Sequence, residues 1–569
     1  MTTKQSGNVA SRFWLELFLV LGGLLLPWRA MAVGSWTTVA QTPPNNSAVQ
    51  LMLLLPDGTV MAQQQGTSAV WYRLTPDRHG SYINGSWTTL TPMIYTRQFY
   101  TSAVLRDGRV FVAGGEYGTG GNTAEIYDPR LNTWTEIPVP SGLICTGCAS
   151  PGFSDSASVI LPNGNLLIAP VFPVAANGTV IYNPFSNTFS QGPACIQNQN
   201  EATWVKLPDD SILTIDPTQD PNLLNTSERF IPSLNNGQGG WIADANLTVA
   251  MYNSAQEIGA GVLLPDGRAF FIGGNGHTAY YTPSGNTNPG SWAAGPELVS
   301  PGVGWDEPAA MMVNGKVLIQ TVLGPVLNPQ PRAFYEMDPI SNYPVGTITQ
   351  VFDWGDVSSV SHIMLNLPDG NVLVSYGSST IRVFQPDGVP IPSGKPTISS
   401  ITANGDGSYH LTGTRLNGIS QGSSFGDDAQ MDSNYPLVRV TDDVGNVLYL
   451  PTFNWSSTGV QTGSKSVSAE LFALPSLTPA ATYSLVAVAN GISSDPVAFY
   501  GPVWADFNGA LLLQLGTFDN PYITLKQAIR AVPSTGTINI KAAGHTTETM
   551  TMTNAMTIAA LGGPVTIGQ

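Results

Sequence analysis

The stretch Gly261-Val-Leu-Leu-Pro265-Asp266-Gly267-Arg-Ala-Phe-Phe-Ile-Gly273-Gly274 reads as an apolar strand, a Pro-Asp-Gly turn and a second apolar strand. The same order recurs at Leu53–Met61, Ala103–Gly115, Ser158–Pro170, Val205–Ile215, Met311–Gln320 and Met364–Gly377. That makes seven copies, spaced by roughly 45 to 60 residues. A repeat of this size built from short strands and tight turns predicts a β-propeller. The Asp-Gly and Asn-Gly pairs predict two-residue hairpin turns, whose central positions need φ > 0. No copy can bury its own apolar face, so the units must stack.

Outward from this hairpin, each unit adds a Tyr-x-Pro strand and a Trp strand. Ala124–Pro129 with Asn132–Glu136, and Ala279–Pro283 with Gly290–Trp292, are examples. The seventh unit reaches Ile381–Pro386 and has no Trp strand of its own. Gly34-Ser-Trp36-Thr-Thr-Val39 has the missing sequence, so the first strand is predicted to complete the last blade and close the ring. Blades are predicted at about 49–93, 99–140, 153–194, 200–250, 257–300, 305–351 and 359–388. The inserts Asp216–Glu228 and Leu323–Pro331 lack a helical period and read as loops. Trp36, Trp87, Trp134 and Trp292 are expected in blade cores.

Only 11% of the 569 residues are Asp, Glu, Lys or Arg, against about 25% in an average soluble domain. Net charge is -16 with 22 basic residues, which excludes nucleic acid as a partner because few phosphates could be neutralised. Residues 1–32 carry a basic front, an apolar run and Ala30-Met31-Ala32 as a small-x-small cleavage site, the pattern of a secretory signal. An uncleaved anchor is the alternative, although about 15 apolar residues are short for a bilayer. The mature chain is expected to hold no membrane span and to be secreted or to sit at the cell surface or in the periplasm. Cys145, Cys148 and Cys195 allow a redox pair, a loop staple or a bond to Cys195. The sequons at Asn45, Asn84, Asn177, Asn225, Asn246 and Asn454 matter in a glycosylating host.

The fold class is therefore all-β, with the propeller at 33–392. Residues 393–501 alternate over six or seven short strands and suggest an immunoglobulin-like β-sandwich. Residues 502–569 begin with an amphipathic helix within 520–532, followed by short β-helix-like rungs at 537–541, 548–552 and 556–559. Two or three rungs are marginal alone, so this segment is expected to pack on its own chain, to pair with another chain in self-association, or to be the truncated start of a longer coil.

The glycine pairs Gly114-Gly115 and Gly273-Gly274, with the Tyr and Trp that follow, resemble kelch repeats. A leader, a seven-bladed kelch propeller and a C-terminal sandwich together resemble the galactose oxidase and glyoxal oxidase superfamily. Leu416–Gln430 and Phe453–Gly459 are similar to parts of that family's C-terminal domain. The resemblance, over about 34–500, implies copper-radical oxidation of alcohols or aldehydes. The family's site needs a cysteine linked to a tyrosine, a Tyr-His pair and a further histidine. Here Ser47–Met52 has no cysteine, Phe99 stands where the cross-linked tyrosine would be, and Val360-Ser361-His362-Ile363 has no tyrosine. The sandwich histidine is also missing near Phe453-Asn454-Trp455. Copper is therefore not expected, and no cofactor is assigned.

The starts of the first strands bring polar residues to one mouth of the channel: Arg97, Tyr100, Asp155, Glu201, Glu257, Asp306, Glu307 and His362. Arg97, Tyr100, Asp155, Glu201, Glu257, Glu307 and His362 are the candidate ligand-binding residues, with Arg97 foremost for its five-donor fork. Such a funnel would take a sugar or a hard cation such as calcium. The plainer alternative is a water-filled channel whose acids bond to backbone. Glu257 and Glu307 as an acid/base pair for a glycoside or lyase reaction is a further alternative. Asp427-Asp428 reads as a turn pair or a calcium contact. The expected function is non-catalytic recognition of an extracellular glycan or protein. The alternative is a copper oxidoreductase with an altered site.

Overall fold

All seven Pro-Asp-Gly-like turns have the same construction. The third turn residue donates its N–H three residues back, as from Gly58 to Leu55 O at 2.9 Å and from Gly267 to Leu264 O at 3.0 Å. The preceding Asp or Asn side chain accepts the N–H two residues ahead, as Asp57 does from Thr59 at 3.0 Å and Asn314 from Lys316 at 3.0 Å. Only the last position is left-handed, with φ 74° at Gly58 and 85° at Gly108. The connection is thus a type I turn closed by one αL residue, not the two-residue turn expected from Asp-Gly. Where proline holds the second turn position, its ring fixes φ near -65° and forbids the mirror-image turn. In the fourth copy Asp210 occupies the αL position, with φ 65°.

The structure, a computed structural model, describes residues 1, 33–145, 152–200, 202–215, 225–251, 258–298, 302–304, 307–323, 332–353, 362–404, 406–424, 434–509 and 512–569. Among these, the turns join the first two strands of seven antiparallel sheets. The first strands are Val49–Leu54, Thr101–Val104, Ser156–Ile160, Trp204–Lys206, Gly261–Leu263, Ala309–Met311 and His362–Asn366. Ser35–Thr38 pairs with Arg382–Gln385, Trp36 opposite Phe384, and so supplies the fourth strand of the last sheet as predicted. Trp36 then packs on Phe384 of that sheet and on Phe334 of the preceding one, both at 4.9 Å between ring centroids. An apolar cluster fills every interface around the ring, and the largest joins the last, first and second sheets.

Of the inserts read as loops, Ser227 and Glu228 belong to strand Ser227–Ile231, and Leu323 ends strand Val317–Leu323. The remainder, 216–224 and 324–331, lies outside the described residues. Cys145 is disulfide-bonded and Cys195 is a buried thiol. No helix among the described residues is long and apolar enough to cross a membrane, and residues 2–32 are not among them.

A second β unit follows. Its two sheets, Thr397–Ala403/Ser408–Thr414/Ser466–Phe472 and Leu437–Thr441/Val447–Leu450/Thr482–Ala489, share one core including Leu411, Val440, Leu471 and Leu485. This unit sits on the turn end of the propeller. Lys206 Nζ donates to Thr458 O at 2.9 Å, and Asn366 Nδ2 to Met311 O at 2.6 Å beside Ser423. Strand Ser423–Ser424 even extends the sixth sheet by pairing with Ala309–Ala310.

The last segment starts with strand Val503–Ala505 and helix Leu525–Ala531, which buries Leu525 and Ala528 as its spacing predicts. Parallel rungs Thr537–Ile540 and Thr557–Ala560 follow. The rung expected at 548–552 does not form. Glu548 instead accepts the free N–H of Leu525, at 2.6 Å, at the helix start, where a carboxylate is favoured. Gly544–Thr546 forms the rung in its place, paired in parallel with Val565–Ile567.

Candidate functional site

Because the second β unit covers the turn end, the starts of the first strands face the opposite mouth. The described candidates, Arg97, Tyr100, Asp155, Glu307 and His362, stand at the starts of first strands or just before them, but they are not alike. Arg97 is fully buried, and both terminal nitrogens of its guanidinium bond inside the second blade, leaving Nε unpaired among the described residues. It donates to Gly114 O, to Gly120 O at 2.7 Å, to Thr123 Oγ1 at 2.6 Å and to Glu125 Oε1 at 3.0 Å. Glu125 also accepts the N–H of Ile94 at 2.7 Å, tying the incoming connection to the blade. Glu228 repeats this in the fourth blade by accepting from Ile196 N at 2.7 Å. Arg97, read as the foremost ligand contact, is thus a blade clamp. Its terminal nitrogens bind the carbonyls of Gly114, Gly120 and Thr123 together with Glu125, so its charge is met within the blade.

Residues 99–138 match the Kelch motif. They span this second blade from Phe99 to the end of its fourth strand, Thr133–Ile137. Among curated proteins, the chain is 30% identical over 114 residues to the spermatocyte protein spe-26 of Caenorhabditis elegans, covering 18% of each chain. It is 28% identical over 127 residues to the F-box/kelch-repeat protein At1g22040 of Arabidopsis thaliana, covering 22% of each. The chain thus spans about a fifth of the length of these curated relatives. Among solved structures, it is similar to a novel fungal alcohol oxidase of the AA5 family in complex with copper. That match has TM-score 0.48 and 12% identity, covering 82% of this chain and 99% of the other. It is also similar to YjhT, with TM-score 0.36 and 13% identity, covering 55% and 99%. The fold is a kelch-type β-propeller with a further β unit.

Around the rest of the kelch ring, Tyr100 is buried and donates to Gln63 Oε1 at 2.8 Å. Burial raises its phenol pKa well above the ordinary value, so it stays neutral. Gln63 in turn bonds Ser68 O and Arg97 O, so this corner is a closed network between the first two blades. Asp155 is buried at the start of the third blade, and its backbone carbonyl accepts Val171 N at 3.1 Å. Glu201, Glu257 and Asp306 lie outside the described residues, as does Asp427-Asp428. His362 begins its strand opposite Tyr376.

The sixth blade differs. Glu307, 2% exposed, accepts from Arg332 Nε at 2.7 Å, but its Oε2 has no partner. Arg332 Nη1, both ends of the Gln320 amide and Thr321 Oγ1 are likewise buried without partners. Strand pairing sets Gln320 and Arg332 on one face of the blade, since Val322 lies opposite Arg332, while Thr321, opposite Ala333, points to the other face. Burial pushes the Glu307 carboxyl up to about 7, against the downward pull of Arg332. Among the described candidates, Glu307 has a carboxylate oxygen without a partner, and Arg97 keeps only its Nε unpaired. Gln320, Thr321 and Arg332 escaped the sequence reading. Gln320 was legible as a polar residue inside the apolar run Val317–Leu323. Arg332 was hidden behind the insert.

The copper donor set implied by the family resemblance does not assemble from the described residues. No group of three or more His, Cys, Asp or Glu gathers among them. Phe99 holds the position of the cross-linked tyrosine, with φ 51°. His277 pairs with Glu297 and His410 with Glu470, each at 2.7 Å and on different units. Trp455 of the second unit stacks on Tyr435, with centroids 4.6 Å apart.

At the turn end the repeat creates clefts where one blade's Pro-Asp turn meets the next blade. Those at Pro162/Asp209 and Pro265/Gly315 measure about 440 and 330 Å³. The third, of about 310 Å³ at Asp57/Gly108, is walled by the second unit's Phe453 and Phe472, stacked at 4.3 Å, with Arg130 over Phe472. Their recurrence at equivalent places makes them a product of blade geometry.

Proposed function

We propose that the chain is a secreted or surface-attached, non-catalytic recognition module whose propeller mouth receives a glycan or a protein group. The observation that carries this is the corner of the sixth blade. Its acceptor on Glu307, donor on Arg332 and mixed amide groups on Gln320, unpaired among the described residues, each cost about 1–3 kcal/mol if left unsatisfied. A hydroxyl both donates and accepts, so a polyol such as a glycan residue meets that mixture better than a pure anion or cation does. The secretory pattern at 1–32 and the disulfide at Cys145 support an oxidising compartment. The bonding of Arg97 within its own blade and the pairing of His277 and His410 with glutamates on different units support recognition over oxidation.

The test is a glycan array followed by titration calorimetry with wild type and Gln320→Leu. Saturable binding by wild type, weakened at least tenfold in the variant at unchanged melting temperature, is expected. Failure of wild type to bind any glycan or candidate protein would defeat the reading. A stoichiometric type-2 copper resonance with peroxide release from alcohols would favour the altered oxidoreductase instead.

A further inference from the structure

Blade geometry explains why a cleft opens between the turns of the first two blades, but not what walls it. Two large rings of the second unit do so. Phe453 ends strand Thr452–Phe453, and Phe472 ends the adjacent strand Ser466–Phe472. Alternation turns Thr452 and Leu471 inward, where both are buried, and leaves the two rings half-buried on the outer face. The rings stack at 4.3 Å with 13° between their planes, and the Arg130 guanidinium lies 4.4 Å from the Phe472 centroid. Pro56, Pro129 and Pro451 complete the apolar lining of this cleft of about 310 Å³. Neither of the other two clefts takes an aromatic ring from the second unit among the described residues.

Polar capacity lies beside the rings. Asp57 Oδ1 accepts from the N–H and the hydroxyl of Thr59, and Asp128 Oδ1 accepts the N–H groups of Arg130 and Leu131. The Oδ2 atoms of both make no hydrogen bond among the described residues, and the Arg130 guanidinium forms no ion pair there. The outer face of the sheet continues the cleft. Phe453 lies opposite Glu470 and Glu470 opposite His410, with Ser468 and Thr412 next along the same face.

We propose that this cleft is a second binding site, for a neutral pyranose residue of an oligosaccharide, separate from the propeller mouth and independent of what that mouth binds. A pyranose has an apolar C–H face, which suits an aromatic wall, and hydroxyls that donate to carboxylates and accept from a guanidinium. Small-molecule sites of this build, apolar with a few placed polar groups, begin at about 300 Å³. Three carboxylates in the lining, on Asp57, Asp107 and Asp128, face two guanidinium groups, on Arg109 and Arg130. The excess of negative charge works against an acidic sugar. The row of hydroxyls and His410 beyond the rings gives further sugar residues groups to meet.

Titration calorimetry of the full chain with cellobiose, xylobiose, maltose, lactose and mannobiose tests this, with glucuronic acid as the acidic control. At least one neutral disaccharide is expected to bind saturably, and glucuronic acid not to bind. Phe453→Ala should weaken that binding at least tenfold. Asp128→Asn keeps the acceptor that holds its turn, so it should leave the melting temperature unchanged and still weaken binding several-fold. This separates recognition from any loss of stability in Phe453→Ala. The binding event that these variants remove should persist in Gln320→Leu. Binding of no disaccharide in the panel, or binding that survives both Phe453→Ala and Asp128→Asn, would overturn the proposal. Binding lost only in Gln320→Leu would overturn it too, and would place the sugar at the propeller mouth.

Discussion

Arg97 and Glu307 are both buried, charged and at the same mouth, yet their surroundings give them opposite roles. Arg97 meets carbonyls, a hydroxyl and a carboxylate within its own blade. Arg97→Ala should therefore cost about 3–5 kcal/mol, read from urea unfolding, because Glu125 is left buried without its cation. Glu307 has one partner, and burial lifts its pKa to about 7 from an ordinary 4.5. Between those pH values the native chain holds a proton that the unfolded chain has released. Stability should fall as pH rises through this window and level off above it. Glu307→Gln should flatten that slope, a difference on the order of 3 kcal/mol at most, in melts across pH 4 to 8. Neither role was legible in the sequence. The number of partners a buried charge finds depends on which carbonyls the neighbouring loops turn inward.

At the scale of elements, the ring is held by strand Ser35–Thr38, which comes from the far end of the propeller segment. Trp36 lies among Phe334, Phe352 and Phe384, so Trp36→Ala should cost about 3–5 kcal/mol and promote aggregation, measurable by thermal melts with light scattering. The turns allow a matched comparison. Gly58 and Gly388 are both left-handed, at φ 74° and 78°. A Cβ on Gly58 would collide with the Tyr449 ring, whereas one on Gly388 meets nothing within 4 Å. Gly388→Ala should cost about 1 kcal/mol of backbone strain, and Gly58→Ala clearly more, in paired denaturation curves. Strand alternation and the Asp-Gly spacing revealed these elements in advance. The exact turn type and the failed rung at 548–552 were not visible. The proline ring favours the turn type in the copies that carry one, and a helix terminus captured Glu548 in place of the rung.

At the scale of the molecule, the propeller and the second β unit share structure. The first apolar cluster runs from Val49 and Val104 into Tyr435, Trp455 and Val486, and a strand of the second unit extends the sixth blade. They should unfold in one calorimetric transition, and a chain cut after Pro392 should aggregate because it exposes that shared face. Two separate transitions, or a soluble propeller alone, would contradict this.

The sequence by itself determined the all-β class, the seven repeated hairpins and the strand that closes the ring. These follow from local periodicity and from turn residues with steric requirements of their own, which hold whatever surrounds them. Tertiary structure alone decided which polar groups are paired and which remain unpaired among the described residues, and which rung forms at Gly544–Thr546. Satisfaction of a buried polar atom and coverage of a strand edge depend on groups distant in the chain, and no local pattern encodes their positions.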